Sequence, residues 1–170
     1  MDLKSKIRAI EDFPEKGVVF RDITTLLKDG QAMKEAVNQL QSPLEKVDFD
    51  LVIGPESRGF IFCMPIAYNL NKGFVPVRKK GKLPAKVISK EYSLEYGSAT
   101  IEVHADAIKK GQKIAIVDDL LATGGTAKAI VELVEEMGAE VVSLNFLIEL
   151  SNLKGREILK GYPVNSVIKY

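Results

Sequence analysis

Cysteine is almost missing from this chain. The single Cys63 excludes an internal disulfide and any cysteine-rich metal site. It lies in the apolar run Phe60-Ile61-Phe62-Cys63-Met64, which suits a small buried core side chain rather than a nucleophile. The only histidine, His104, leaves a histidine-centred triad without support, and a zinc site would have too few soft ligands. An excess of one charge is also lacking. The 24 Lys and Arg against 23 Asp and Glu give a net charge of +1, which argues against nonspecific nucleic-acid binding. No stretch approaches the ~18 apolar residues of a membrane span. The opening MDLKSKIRAIED has no signal-peptide core. Repeats and low-complexity tracts are absent too. The expectation is a cytoplasmic protein without membrane or nucleic-acid partners.

What is present suffices for one domain over 1–170. The 170 residues are 46% hydrophobic and 28% charged, enough for a real core. Leu3, Ile7 and Ile10 alternate with charges at helical spacing, so residues 2–11 read as a helix, and 13–25 as a loop. Met33, Val37 and Leu40 place an amphipathic helix over 31–44. From residue 50 the pattern becomes strand-helix-strand. Strands are predicted at 50–53, 74–77, 113–118, 140–148 and 164–169. Helices are predicted at 57–69, 125–137 and 152–160, with Pro65 implying a kink or late start in the first of these. This alternation predicts an α/β fold with a mostly parallel central sheet flanked by helices. Its strand ends at Gly54, Arg78, Asp118 and Glu149 should share one edge, where ligands of such sheets bind. Residues 80–106 break the pattern. Two alternating stretches around Leu94-Glu95-Tyr96-Gly97-Ser98 read as a β-arm or flap.

The richest segment is Lys113 to Thr126, KIAIVDDLLATGGT. A buried strand runs into two adjacent carboxylates, Asp118 and Asp119. A small-residue loop follows, Ala122-Thr123-Gly124-Gly125-Thr126, and then a helix. Backbone N–H groups at such a helix start can face an anion. The loop is not GxxxxGK[ST], because Thr126 follows Gly125, and not GxGxxG, because the glycines are adjacent. An acidic pair beside the cradle would repel a bare triphosphate. It suits a sugar carrying both hydroxyls and a phosphate.

IVDDLLATGGT resembles the diphosphosugar signature of the type I phosphoribosyltransferases. Five further segments resemble the adenine-using branch of that family: Gly17 to Ile23 (GVVFRDI), Gly54 to Phe60 (GPESRGF), Gly81 to Pro84 (GKLP), Tyr92 to Gly97 (YSLEYG) and Leu153 to Glu157 (LKGRE). They run in order along nearly the whole chain. The resemblance implies a small N-terminal hood over residues 1–49 that recognises the base, and a flap over 80–106. It also implies transfer of phosphoribose from phosphoribosyl pyrophosphate to adenine, with Mg²⁺ as cofactor, and a homodimer.

The resemblance also distributes roles. Asp118 and Asp119 match the ribose contacts. Ala122, Thr123, Gly124, Gly125 and Thr126 match the 5′-phosphate loop. Arg58, Arg78, Lys79 and Lys82 match pyrophosphate contacts, in keeping with the five cations among Arg78 to Lys86. Val19, Arg21 and Leu150 match contacts to adenine, and Tyr96 a contact to the sugar. Glu95, with Lys82 and Arg58, is the candidate for catalysis: an acid in a closing flap can be tuned for proton transfer. Magnesium needs no direct protein ligand, because substrate oxygens and water supply its shell. Related enzymes often hold a strained peptide at the position of Glu56-Ser57. Three rivals stay open at this point. One is a transferase for hypoxanthine, xanthine or guanine. Another is a regulator reusing the fold as a sensor, although the first 49 residues carry no basic recognition helix. The third is a diphosphosugar synthetase, which would need a nucleotide site not visible here.

Overall fold

Strand and helix alternate from Leu51 onward, as the apolar runs predict. The computed structural model describes residues 1–94 and 96–170. These fall into two units, Met1–Gln39 and Leu40–Tyr170.

In the first unit, β1 (Arg8–Glu11) and β2 (Val19–Asp22) pair antiparallel, with Ala9 opposite Arg21 and Glu11 opposite Val19. This corrects two expectations. Residues 2–11 are not a helix but a 3₁₀ turn, Lys4–Lys6, followed by β1. Leu3 and Ile7 are buried at the spacing of one turn, whereas Ile10 is not, and the ladder with β2 takes over the backbone hydrogen bonds. Residues 13–25 are likewise not all loop, since they hold β2 and the start of α1 (Thr24–Leu27). Asp22 organises this corner. It accepts the Thr24 N–H and hydroxyl at 2.9 and 2.7 Å and the Arg8 Nε–H at 2.9 Å. The Thr24 bonds first, with Arg8, pull its pKa down to about 2. Helix α2 (Gly30–Gln41) starts in this unit and crosses its boundary.

The second unit is built on a seven-stranded sheet. Its strands are β3 (Leu51–Pro55), β4 (Gly73–Lys79), β5 (Val87–Ser93), β6 (Ser98–His104), β7 (Lys113–Leu121), β8 (Glu140–Glu149) and β9 (Val164–Lys169). Their spatial order is β5-β6-β4-β3-β7-β8-β9. β3, β4, β7, β8 and β9 run parallel, while the β5–β6 hairpin joins the edge antiparallel through β4. Helix α3 (Arg58–Asn69) packs on β3, β4 and β7, and α4 (Gly125–Glu136) on β5, β7 and β8. The chain leaves the central β3–β7 pair in opposite directions, to β4 through α3 and to β8 through α4. Right-handed crossovers then put the two helices on opposite faces. The reversal of strand order lies between β3 and β7, where a crevice opens at the carboxyl ends.

Two boundaries differ from expectation in ways that shape the site. β7 does not stop at Asp118 but continues to Leu121, because β8 carries the ladder on, with Leu120 opposite Ile148 and Leu121 opposite Glu149. The acidic pair is therefore held inside a hydrogen-bonded strand. Residues 152–160 are not one helix but two 3₁₀ turns, Ser151–Leu153 and Glu157–Leu159. Lys154 between them has φ +55°, which a right-handed helix cannot contain. Among the described residues no helix is long and apolar enough to cross a membrane.

Candidate active site

The loops after β3 and β7 form the crevice. Gly54 is the penultimate residue of β3, and a Cβ there would lie 2.3 Å from Cys63 Sγ and 2.4 Å from the Val117 carbonyl oxygen. Only glycine lets β3, α3 and β7 approach so closely. Cys63 is a buried core residue, as expected. Its thiol donates to the Val117 carbonyl at 3.3 Å, and burial holds its pKa high. The Glu56–Ser57 peptide is cis, and α3 begins at Arg58.

Arg58 and Gly59 bring the first turn of α3 onto the acidic pair. Arg58 Nε lies 2.8 Å from Asp119 Oδ2, and a Cβ on Gly59 would come within 2.9 Å of Asp118 Oδ1. Asp118 Oδ1 accepts the Asp119 N–H at 2.8 Å. Burial first, and then the neighbouring Asp119 charge, raise the Asp118 pKa well above the ordinary carboxylate range. Asp119 Oδ2 is buried, and its charged neighbour among the described residues is the Arg58 guanidinium.

The loop after β7 supplies the other half. Gly124 caps α4 with φ +87°, and the first amides of a helix that starts at Gly125 have no intrahelical acceptor. The loop is backed by the 153–158 segment. A Cβ on Gly124 would lie 2.8 Å from the Gly155 carbonyl oxygen, and one on Gly155 would lie 2.4 Å from the Ala122 carbonyl oxygen. Arg156 anchors that backing. It donates to both Glu149 oxygens at 2.8 and 2.9 Å and to the Val164 carbonyl at 2.7 Å. This pairing lowers the Glu149 pKa. Arg58, Asp118, Asp119 and the residues from Leu120 to Ala127 line one cavity of about 220 Å³. Seven of the expected site residues, Asp118, Asp119 and Ala122 to Thr126, thus share one cavity with Arg58.

Arg78, Lys79, Lys82 and Leu150, of the same unit, do not line that cavity. Arg78 and Lys79 end β4, and Lys82 comes three residues later. Glu56 links this turn to the α3 loop: its Oε1 accepts the Lys79 N–H at 2.6 Å and lies 3.5 Å from Arg78 Nε. The Lys79 N–H first, then Arg78, lower its pKa. Arg78 Nη1 reaches back to the Lys82 carbonyl at 3.5 Å. Leu150, just past β8, is half-buried, its N–H on the Leu121 carbonyl at 2.9 Å. Val19 and Arg21 lie on β2 of the first unit. They share strand parity, so their backbone groups face the same side. Glu95 lies outside the described residues.

Sequence reasoning missed Tyr92. Its hydroxyl is 3.2 Å from Thr126 Oγ1, which ties the β5–β6 hairpin to the loop after β7. A second cavity of about 430 Å³ opens there, lined by Tyr92, Ser93, Leu94, Tyr96, Thr123, Gly125 and Thr126. The Tyr92 to Gly97 segment had flagged the region, but a tyrosine in an alternating strand carries no signal of its own. Lys90 adds to the tie, with its ammonium 2.5 and 3.3 Å from Glu136 and Glu132 on α4.

An acidic pair and a run of helix-start amides thus stand together at the strand-order reversal of a parallel sheet. The family model of the phosphoribosyl transferase domain matches residues 24–166, and the chain belongs to this family. Within it, the relatives are adenine phosphoribosyltransferases. That of Lachnoclostridium phytofermentans is 59% identical over 99% of this chain and 97% of its own. The crystal structure of the Thermoanaerobacter pseudethanolicus enzyme superposes with a TM-score of 0.96 at 53% identity, covering 99% of this chain and 98% of that one. The Saccharomyces cerevisiae enzyme was crystallised with an imino-altritol bisphosphate and adenine. It superposes with a TM-score of 0.91 at 38% identity, over 98% and 96% of the two chains.

Proposed function

We propose that this chain is a pentosyltransferase that converts adenine and 5-phospho-α-D-ribose 1-diphosphate to AMP and pyrophosphate, a step of purine salvage. The observation that carries this reading is the single cavity joining the acidic pair to the phosphate cradle. Full-length similarity to adenine phosphoribosyltransferases supports the choice of base.

The bond from the sugar's anomeric carbon to the diphosphate oxygen breaks. A bond to a ring nitrogen of adenine forms, and that nitrogen gives up its proton. Positive charge develops on the sugar ring, as in other glycosyl transfers. Asp118 and Asp119 accept hydrogen bonds from the ribose hydroxyls, and the charge that the pair carries stands beside the developing cation. The amides of residues 122–126 hold the 5′-phosphate at the positive end of α4. Arg58, Arg78, Lys79 and Lys82 receive the departing diphosphate. The hairpin covers the site against water, and Glu95 is assigned the acid/base role. Val19, Arg21 and Leu150 are assigned to adenine.

The donor set fits a magnesium ion carried in on the diphosphosugar. Among the described residues no three His, Cys, Asp or Glu side chains gather into a metal cage, so substrate oxygens and water would supply the shell of such an ion. When bound, such an ion would neutralise diphosphate charge and steady the leaving group.

The chain is further assigned to a cytoplasmic homodimer. Ile61, Met64 and Tyr68 form an exposed apolar stripe on α3, with Tyr68 84% exposed, and a second copy would cover it. Sedimentation showing only monomer at micromolar concentration would reject the dimer. The activity itself is tested by product analysis with adenine, hypoxanthine and guanine, each mixed with the diphosphosugar and Mg²⁺. Adenine should be preferred by ~10⁴-fold or more, because the other bases reverse the donors and acceptors at their edge. Comparable kcat/KM for adenine and hypoxanthine would overturn the assignment.

A further inference from the structure

Glu102 lies mid-strand on β6 and is 5% exposed, yet it touches neither the acidic pair nor the phosphate cradle. A buried carboxylate persists only when its oxygens are partnered. Here the two oxygens go to two different parts of the molecule. Oε2 accepts the Gly81 N–H at 3.0 Å, and Oε1 accepts the Ser89 hydroxyl at 3.1 Å. Gly81 belongs to the basic turn after β4, and Ser89 to the first strand of the hairpin. The ladder makes this reach possible, since Glu102 stands opposite Arg78 on one side and Ser89 on the other.

The turn is held at a second amide as well, the Lys79 N–H on Glu56 Oε1 at 2.6 Å. Lys82 N–H closes it onto the Lys79 carbonyl at 3.3 Å, and Gly81 takes φ +82°. Alternate amides of a cation-rich turn therefore end on two carboxylates, one from the α3 loop and one from the hairpin. Those carboxylates bind backbone, which leaves the exposed lysine ammonium groups for an anion.

We propose that Glu102 is a positioning residue that sets the backbone of the Lys79-to-Lys82 turn and the hairpin in one register, so that the turn's cations meet the diphosphate when the hairpin covers the site. This rests on the reading that the turn receives diphosphate. The role predicts a selective effect. Loss of the carboxylate should weaken diphosphate binding and spare the 5′-phosphate and base, which other residues hold.

The test is the reverse reaction, AMP plus pyrophosphate, in the Glu102→Ala and Glu102→Gln variants. Glu102→Ala should raise KM for pyrophosphate about tenfold or more, with KM for AMP within about twofold and kcat within about threefold of the unmodified enzyme. Glu102→Gln should bring the pyrophosphate KM back to within about threefold, because its carbonyl accepts the Gly81 N–H and its amide donates to the Ser89 hydroxyl. An unchanged pyrophosphate KM in Glu102→Ala, or equal rises for both substrates, overturns the role. Should Glu102→Ala show no cooperative melting, Ser89→Ala carries the test at an exposed position. A pyrophosphate KM raised about two- to fivefold with AMP unaffected supports the role, and no change refutes it. An unmodified protein that makes no adenine from AMP and pyrophosphate would defeat the functional reading itself, and this role with it.

Discussion

Gly155→Ala is the most demanding test of the site's architecture, because the added methyl touches no substrate. Gly155 lies behind the phosphate loop, and its Cβ would stand 2.4 Å from the Ala122 carbonyl oxygen and 2.9 Å from Leu121 Cδ1. Ordinary contact starts near 3.4 Å, so the loop or the 153–158 segment must retreat by about 1 Å. The segment is the stiffer of the two, being clamped through Arg156 to Glu149 and to the Val164 carbonyl. The phosphate loop should therefore yield. Overpacking of this kind costs about 1–3 kcal/mol, which lowers Tm by between about 2 and 12 °C for a chain of this size. A displacement of ~1 Å at a substrate cradle costs on the order of 10²-fold in kcat/KM for the diphosphosugar. The assay is steady-state kinetics at saturating adenine, paired with thermal melting. Gly30→Ala is the control, since a Cβ there meets nothing within 4 Å. It should leave both kcat/KM and Tm nearly unchanged. A Gly155→Ala enzyme within about threefold of normal kcat/KM would refute the claim that this segment sets the loop.

Asp119→Asn should cost roughly 10- to 150-fold in kcat/KM, the worth of a charged hydrogen bond to the sugar. Near-normal activity would sink the ribose assignment. Asp118→Asn should lose activity and yet gain stability. The raised pKa means that the folded protein holds this proton more tightly than the unfolded chain does. The cost of ionisation is absent well below the ordinary value of 3.8 and complete above the raised value. Its Tm should exceed that of the unmodified protein at neutral pH, and the gain should fade as pH falls toward 3.8. A gain independent of pH would refute this. Tyr92→Phe removes one neutral hydrogen bond to Thr126 Oγ1, so KM for the diphosphosugar should rise about two- to tenfold. An unaltered KM would show that this hairpin tie is irrelevant to binding.

By itself the sequence determined the parallel α/β class and set the acidic pair next to the glycine loop. Short apolar runs such as Ile114 to Val117, in alternation with helical stretches, suit strands covered on both faces. The run from Asp118 to Thr126 carried its carboxylates and glycines as neighbours, so the core of the site was a local property. Elements shorter than two turns were not legible. Leu3 and Ile7 have the spacing of a helix, but pairing with β2 decided a strand, and Lys154 with Gly155 broke the helix expected after residue 152. Tertiary structure alone decided which distant residues meet. The reversal of strand order between β3 and β7 set Arg58 on Asp119, and close approach through Gly155 placed the 153–158 segment behind the loop. The ladder set Glu102 between Gly81 and Ser89. Such contacts depend on strand order, register and the room left by a missing Cβ, and residue spacing along the chain encodes none of the three.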